Sequence, residues 1–108
     1  LEGFIKENCD ATIFSDRSSS GLGWVCRNKD EIVLSTGLKR NEFSLEPTKV
    51  EALAMLSSIS CAQGLGYDKI IIESDALVVI NEAISERASC ASFGGIIEDI
   101  KSLKAQFE

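Results

Sequence analysis

The sequence contains no histidine. That absence removes the Ser-His-Asp and Cys-His nucleophile systems, imidazole-ligated zinc and a histidine acid–base. Hydrolytic chemistry in such a chain has to run on carboxylates, which suit hard cations such as Mg²⁺ and Mn²⁺. Aromatic residues are only 6% of the chain, too sparse to form a stacking platform for bases. No C-x-x-C pair links Cys9, Cys26, Cys61 and Cys90, so buried thiols in a reducing compartment are expected rather than a disulfide frame. No apolar run is long enough to span a bilayer, and no basic-then-apolar leader opens the chain. An intracellular protein, in nucleus or cytoplasm, is expected.

What is present fits one domain of 108 residues, large enough for a core without staples. Hydrophobic residues make up 44% and charged residues 26%, an ordinary globular balance. The first residue is Leu1, which reads as a piece of something longer. The net charge of −6 is uneven, with −1 on residues 1–50 and −5 on residues 51–108. An acidic chain makes a poor high-affinity platform for nucleic acid by counterion release. Bound metal can offset acids locally, so a nucleic-acid enzyme stays open.

Along the chain, "GFIKENCDATIF", "GLGWVCR" and "IVLSTGL" read as three strands. The turn stretches "SDRSSSG" and "NKDE" join them into an antiparallel meander. The period then changes. From Pro47, a residue suited to a first helical position, Val50, Leu53, Ala54, Ser57, Cys61 and Leu65 form a helical stripe that Gly64 and Gly66 would end. "YDKIIIES" is a fourth strand, expected to join the sheet in parallel after a crossover. "DALVVINEAISER" is a second helix, "ASCASFGG" a loop, and "IIEDIKSLKAQF" a last helix with Ile96, Ile100, Leu103 and Phe107 aligned. The order β-β-β-α-β-α-α predicts an α/β fold, a mixed sheet covered by helices.

Three acids stand out. Asp10 lies inside a strand, where Asp is depleted, and the plainer explanation is a bulge or an exposed face. Glu51 lies in the first turns of a helix, where the dipole alone favours an acid, yet it sits toward the apolar side. Asp75 follows "KIIIES" and could simply cap the next helix. Taken together they read differently. The first and fourth strands are natural parallel neighbours, which brings Asp10 beside Asp75, and the crossing helix lets Glu51 reach inward. Three converging carboxylates repel unless cations neutralise them. Two divalent ions held by such a group are an arrangement for cutting phosphodiesters. Glu73 is expected on the opposite strand face from Ser74, solvated or paired rather than a ligand.

"KENCDAT", "VEALAM" and "IIIESDALVVI" resemble the three signature blocks of the ribonuclease H family. The likeness is nearest to plant-type ribonuclease-H-like domains, including those of retroelement polyproteins, and extends through "GLGWVCRNKDEIV" to nearly the whole chain. It implies a ribonuclease H-like mixed sheet and a metal-dependent endonuclease that cuts the RNA strand of RNA–DNA hybrids. It also implies that Asp10, Glu51 and Asp75 are catalytic residues and ligands of two Mg²⁺ or Mn²⁺ ions. Family members continue into a fifth strand and a final helix bearing a fourth carboxylate, whereas this sequence ends at Glu108. The resemblance therefore implies a domain over residues 1–108 that lacks those elements, with the fourth strand left at an edge. Ala11 stands where the family often has Gly. With its acidic surface, the 108-residue chain is expected to bind hybrid weakly. Two alternatives remain: a non-catalytic ribonuclease H-like module that binds nucleic acid or serves a structural role, and a small α/β protein whose acidic helices contact other proteins.

Overall fold

The computed structural model describes residues 3–14, 19–41, 46–88 and 93–107. Residues 1–2, 15–18 (where the sequence predicts a turn), 42–45, 89–92 (where it predicts a loop, with Cys90) and 108 lie outside the described residues. Strand β1 spans Ile5–Ile13, β2 Ser20–Arg27 and β3 Val33–Asn41. Helix α1 spans Pro47–Gly64, β4 Ile70–Glu73, α2 Leu77–Ile84 and α3 Gly94–Lys104. The sheet order is β3-β2-β1-β4. β1 and β2 pair antiparallel, as do β2 and β3, and β1 and β4 run parallel. The expected α/β architecture and element order are therefore present, with β4 as an outer strand.

Local chemistry explains the boundaries. Pro47 occupies the first turn of α1, where its missing N–H would be unpaired anyway. At the other end Gly66 adopts φ +80. Its N–H donates to Gln63 O (3.1 Å), and that of Tyr67 donates to Ala62 O (3.1 Å). This is the Schellman closure that a left-handed glycine permits. In the hairpin between β2 and β3, Asn28 Oδ1 accepts from Asp30 N (2.9 Å) and Ile32 N (3.0 Å). β3 continues past "IVLSTGL" to Asn41 because Lys39, Arg40 and Asn41 still pair with Leu22, Gly21 and Ser20.

Two helical stripes differ from the sequence expectation. On α1 the buried residues are Val50, Ala52, Ala54, Met55, Ser58, Ile59 and Ala62, whereas Leu65 is half exposed. The helix is sandwiched: β1 and β2 lie on one side, α2 and α3 on the other. A helix covered on two sides buries more than one stripe, so periodicity alone picks the wrong set. On α3 the fully buried residues are Ile97 and Ile100, with Ile96, Leu103 and Phe107 packed partly around them. α2 is shorter than "DALVVINEAISER". Its N-cap position is Ala76, with no side-chain cap bond, and Ser85 is extended.

The core has two parts. Cys9, Ala52, Met55, Ile59, Val79, Ala83, Phe93, Ile97 and Ile100 pack between sheet and helices, and Leu22, Val50 and Ala54 pack beneath the start of α1. Cys9 and Cys26 are buried free thiols and Cys61 is a half-buried one. Burial pushes the Cys9 and Cys26 thiols up to about 12. Both are buried thiols, as the cysteine spacing led one to expect, and Cys26 also donates to Glu7 Oε1.

Gly37 pairs with Trp24 across β2 and β3, and a Cβ there would lie 2.0 Å from the indole. Gly37→Ala should overpack the ring and lower stability by about 1–3 kcal/mol. A urea melt checks this: the midpoint should fall while the slope stays unchanged.

Candidate metal centre

β1 and β4 pair from Ile5↔Ile70 to Asn8↔Glu73. Continuing that register two residues brings Asp10 level with Asp75, immediately beyond β4. Glu51 comes from the second turn of α1, between Val50 and Ala52, both fully buried. The backbone on each side of Glu51 is thereby fixed against the sheet. One oxygen from each of Asp10, Glu51 and Asp75 lies within 4.8 Å of the others. The structure thus brings together all three residues singled out from the sequence.

Their environments differ. Asp10 and Asp75 are exposed, and Asp10 Oδ1 accepts from the Ala11 N–H (2.9 Å). Glu51 is half-buried, and its Oε2 is buried without a hydrogen-bond partner. Burial, then the charges of Asp10 and Asp75, raises the Glu51 carboxyl above its usual range. Three converging carboxylates are a donor set made only of hard oxygens. It fits Mg²⁺ or Mn²⁺ and offers nothing to a soft metal.

Nearby groups are otherwise engaged. Ser74 Oγ accepts from the Ala76 N–H (3.1 Å), and the Leu77 N–H donates to Asp75 O (3.0 Å). The local turn is therefore held by Ser74 and by the Asp75 backbone, which leaves the Asp75 side chain out of any helix cap. Glu73 pairs with Lys6 (3.6 Å) and accepts from Asn8 Nδ2 (3.4 Å), away from the centre as expected. Asn8, Cys9, Asp10, Glu73, Ser74 and Asp75 line an open hollow of about 410 Å³ at this end of the sheet.

One residue escaped the sequence reading. Glu7 is fully buried, its Oε1 accepting from Cys26 Sγ (2.9 Å) and its Oε2 from Ser58 Oγ (2.8 Å). Burial raises its carboxyl as well, against the opposing effect of those two bonds. The signal that flagged Asp10, an acid inside a strand, applied equally to Glu7.

A family model described as reverse transcriptase-like matches residues 8–108. The chain belongs to that family. Its fold is ribonuclease H-like, and the structural comparisons agree. Ribonuclease H1 of the halophilic archaeon Halobacterium salinarum NRC-1 superposes with a TM-score of 0.86 at 15% identity, covering 97% of this chain and 80% of that one. The N-terminal ribonuclease H domain of a Mycobacterium tuberculosis protein gives 0.78 at 17% identity, covering 96% and 76%. LC11-RNase H1, solved in complex with an RNA/DNA hybrid, gives 0.70 at 15% identity, covering 95% and 78%. No curated protein matches the chain in sequence. Among the described residues, no helix of this ribonuclease H-like domain is long and apolar enough to cross a membrane.

The raised carboxyl of Glu51 has a consequence for stability. The folded protein holds that proton more tightly than the unfolded chain, whose Glu titrates near its usual 4.5. Metal-free stability therefore falls as pH rises from 4.5 through the raised value, then levels off. Glu51→Gln should shrink that fall and leave the metal-free protein more stable than its parent at neutral pH. Urea midpoints across the acid-to-neutral range measure it. Superimposable pH curves for the two proteins would show that Glu51 feels no repulsion.

Proposed function

We propose that this domain is a divalent-metal-dependent endonuclease of ribonuclease H type, acting on the RNA strand of RNA–DNA hybrids. The observation that carries this reading is the convergence of Asp10, Glu51 and Asp75, whose carboxylates come within 4.8 Å of one another. The fold supports it, since similar folds include an RNase H1 solved with an RNA/DNA hybrid. In this reading Asp10, Glu51 and Asp75 together hold two Mg²⁺ or Mn²⁺ ions. Such ions supply a water of lowered pKa and charge to stabilise the leaving oxygen.

The chain's own residues do the rest. Glu51, raised toward the neutral form, gives up its proton when a cation occupies the centre, so binding strengthens as pH rises. Val50 and Ala52 anchor the backbone that presents Glu51. Asn8 and Ser74 offer polar side chains along the hollow where a sugar–phosphate backbone would lie. The bases of the meander, among them Lys6, Arg27, Lys39 and Arg40, stand on the strands rather than on the more acidic second half of the sequence. With a net charge of −6, contact with nucleic acid stays weak and salt-sensitive. The competing reading is a ribonuclease H-like module that binds nucleic acid without cutting it, since a fold alone does not fix an activity.

A hybrid labelled on its RNA strand separates the two. Cleavage in Mg²⁺ or Mn²⁺ is expected, falling about a hundredfold or more in Asp10→Asn and Asp75→Asn, since even outer-shell partners of metal ligands act on that scale. Hybrid bound but left intact would favour the binding module. A companion experiment reads metal without turnover. Mn²⁺ at a hundred times its dissociation constant should stabilise the parent by about 2.7 kcal/mol, and both variants should lose most of this. Asp75 makes no side-chain cap bond, so Asp75→Asn costs α2 nothing there, and equal Mn²⁺ responses in all three proteins would overturn the shared centre.

A further inference from the structure

We propose that Glu7 is a positioning residue for the Asp10–Glu51–Asp75 centre, tying α1 to β1 through Ser58 and so setting where Glu51 stands against Asp10. The proposal rests on the metal-binding reading of that centre.

Glu7 and Asp10 are three residues apart on β1, and Glu51 and Ser58 are seven apart on α1. Seven helical residues make almost two full turns, so Glu51 and Ser58 share one face of α1, about 10 Å apart along its axis. Three strand residues also span about 10 Å. The Glu7–Ser58 bond is thus one rung between α1 and β1, about 10 Å from the approach of Glu51 to Asp10, although Asp10, three residues from Glu7, leaves the opposite face of the strand. Helix and strand run in opposite senses between them. With one rung fixed at 2.8 Å, α1 can neither slide along β1 nor roll on it without breaking that bond.

The packing between helix and sheet explains why a bond is needed there. Much of the buried surface of α1 is small: Ala52, Ala54, Ser58 and Ala62 are all fully buried. Small side chains let the helix approach closely but interlock little, so apolar contact alone defines its axial position loosely. A directional hydrogen bond to a buried carboxyl group supplies that definition. Both partners of Glu7 are neutral hydroxyl or thiol groups. An apolar residue of similar size would be the more stabilising occupant, which leaves placement as the benefit of an acid at this position.

Cys26 provides the control. It bonds the same carboxyl group from β2, so its loss weakens the buried cluster without releasing α1. The test measures Mn²⁺ affinity by calorimetry, with a thermal melt to verify folding, for the parent, Ser58→Ala, Cys26→Ala, Glu7→Met and Glu7→Gln. Ser58→Ala and Glu7→Met should bind Mn²⁺ roughly tenfold more weakly, the scale of lost outer-shell support. Cys26→Ala should bind as the parent does, and so should Glu7→Gln, whose amide oxygen still accepts from the Ser58 hydroxyl. If Glu7→Met does not fold, Ser58→Ala decides, because Ala is the residue best suited to a helix interior. Equal affinities in Ser58→Ala and Cys26→Ala, whether both reduced or both intact, overturn the proposal and leave the metal centre standing. A parent that binds no Mn²⁺ overturns the centre itself, and this inference with it.

Discussion

The seating of α1 on β1 and β2 is the contact on which the remaining structure depends. Val50 and Ala54 meet Leu22 with Ala11 and Ile13 on one flank, while Ala52, Met55 and Ile59 meet α2 and α3 on the other. A helix enclosed on both sides has little freedom to tilt, and interiors packed at crystal-like density transmit small displacements rather than absorb them. The same helix delivers Glu51 to the end of β1. Core packing and site geometry are therefore one constraint, and a change that shifts α1 by a fraction of an ångström is felt by the carboxylates.

That coupling sets stability against function. Three acids are drawn together, and a fourth, Glu7, is enclosed nearby. Glu51 and Glu7 each carry a penalty for ionisation that an apolar residue would avoid. Similar tension appears in Trp24, whose indole N–H is buried without a partner while Gly37 makes room for the ring. The structure tolerates these costs because the apolar clusters around α1 are continuous and the sheet pairs regularly through β1 and β2.

Much of this was legible before any coordinates. The change from alternating strands to a helical period at Pro47 marked the meander and α1, and the "IIIES" run marked β4. Asp10 was readable because it broke a strand preference, and Glu51 and Asp75, each ordinary in its own place, because topology brought them to it. Other features were not. Periodicity assumes one buried face, so it promoted Ser57, Cys61 and Leu65 on α1 over Ala52, Ser58 and Ile59. It likewise favoured Ile96 over Ile97 on α3. The Asp75 cap failed because Ser74, one residue earlier, already accepts a hydrogen bond from the turn. Glu7 was overlooked because its partners, Cys26 and Ser58, are distant in sequence and unremarkable in type.

Trp24 is the only tryptophan in the sequence. It pairs with Cys9 on one side and Gly37 on the other, one residue along β1 from Asp10. All of the chain's indole fluorescence therefore originates at the junction of hairpin, core and carboxylate cluster. Separation of the hairpin from the helices would expose the indole and shift that emission to longer wavelength. The protein thus carries an optical probe at the point where its fold and its chemistry meet.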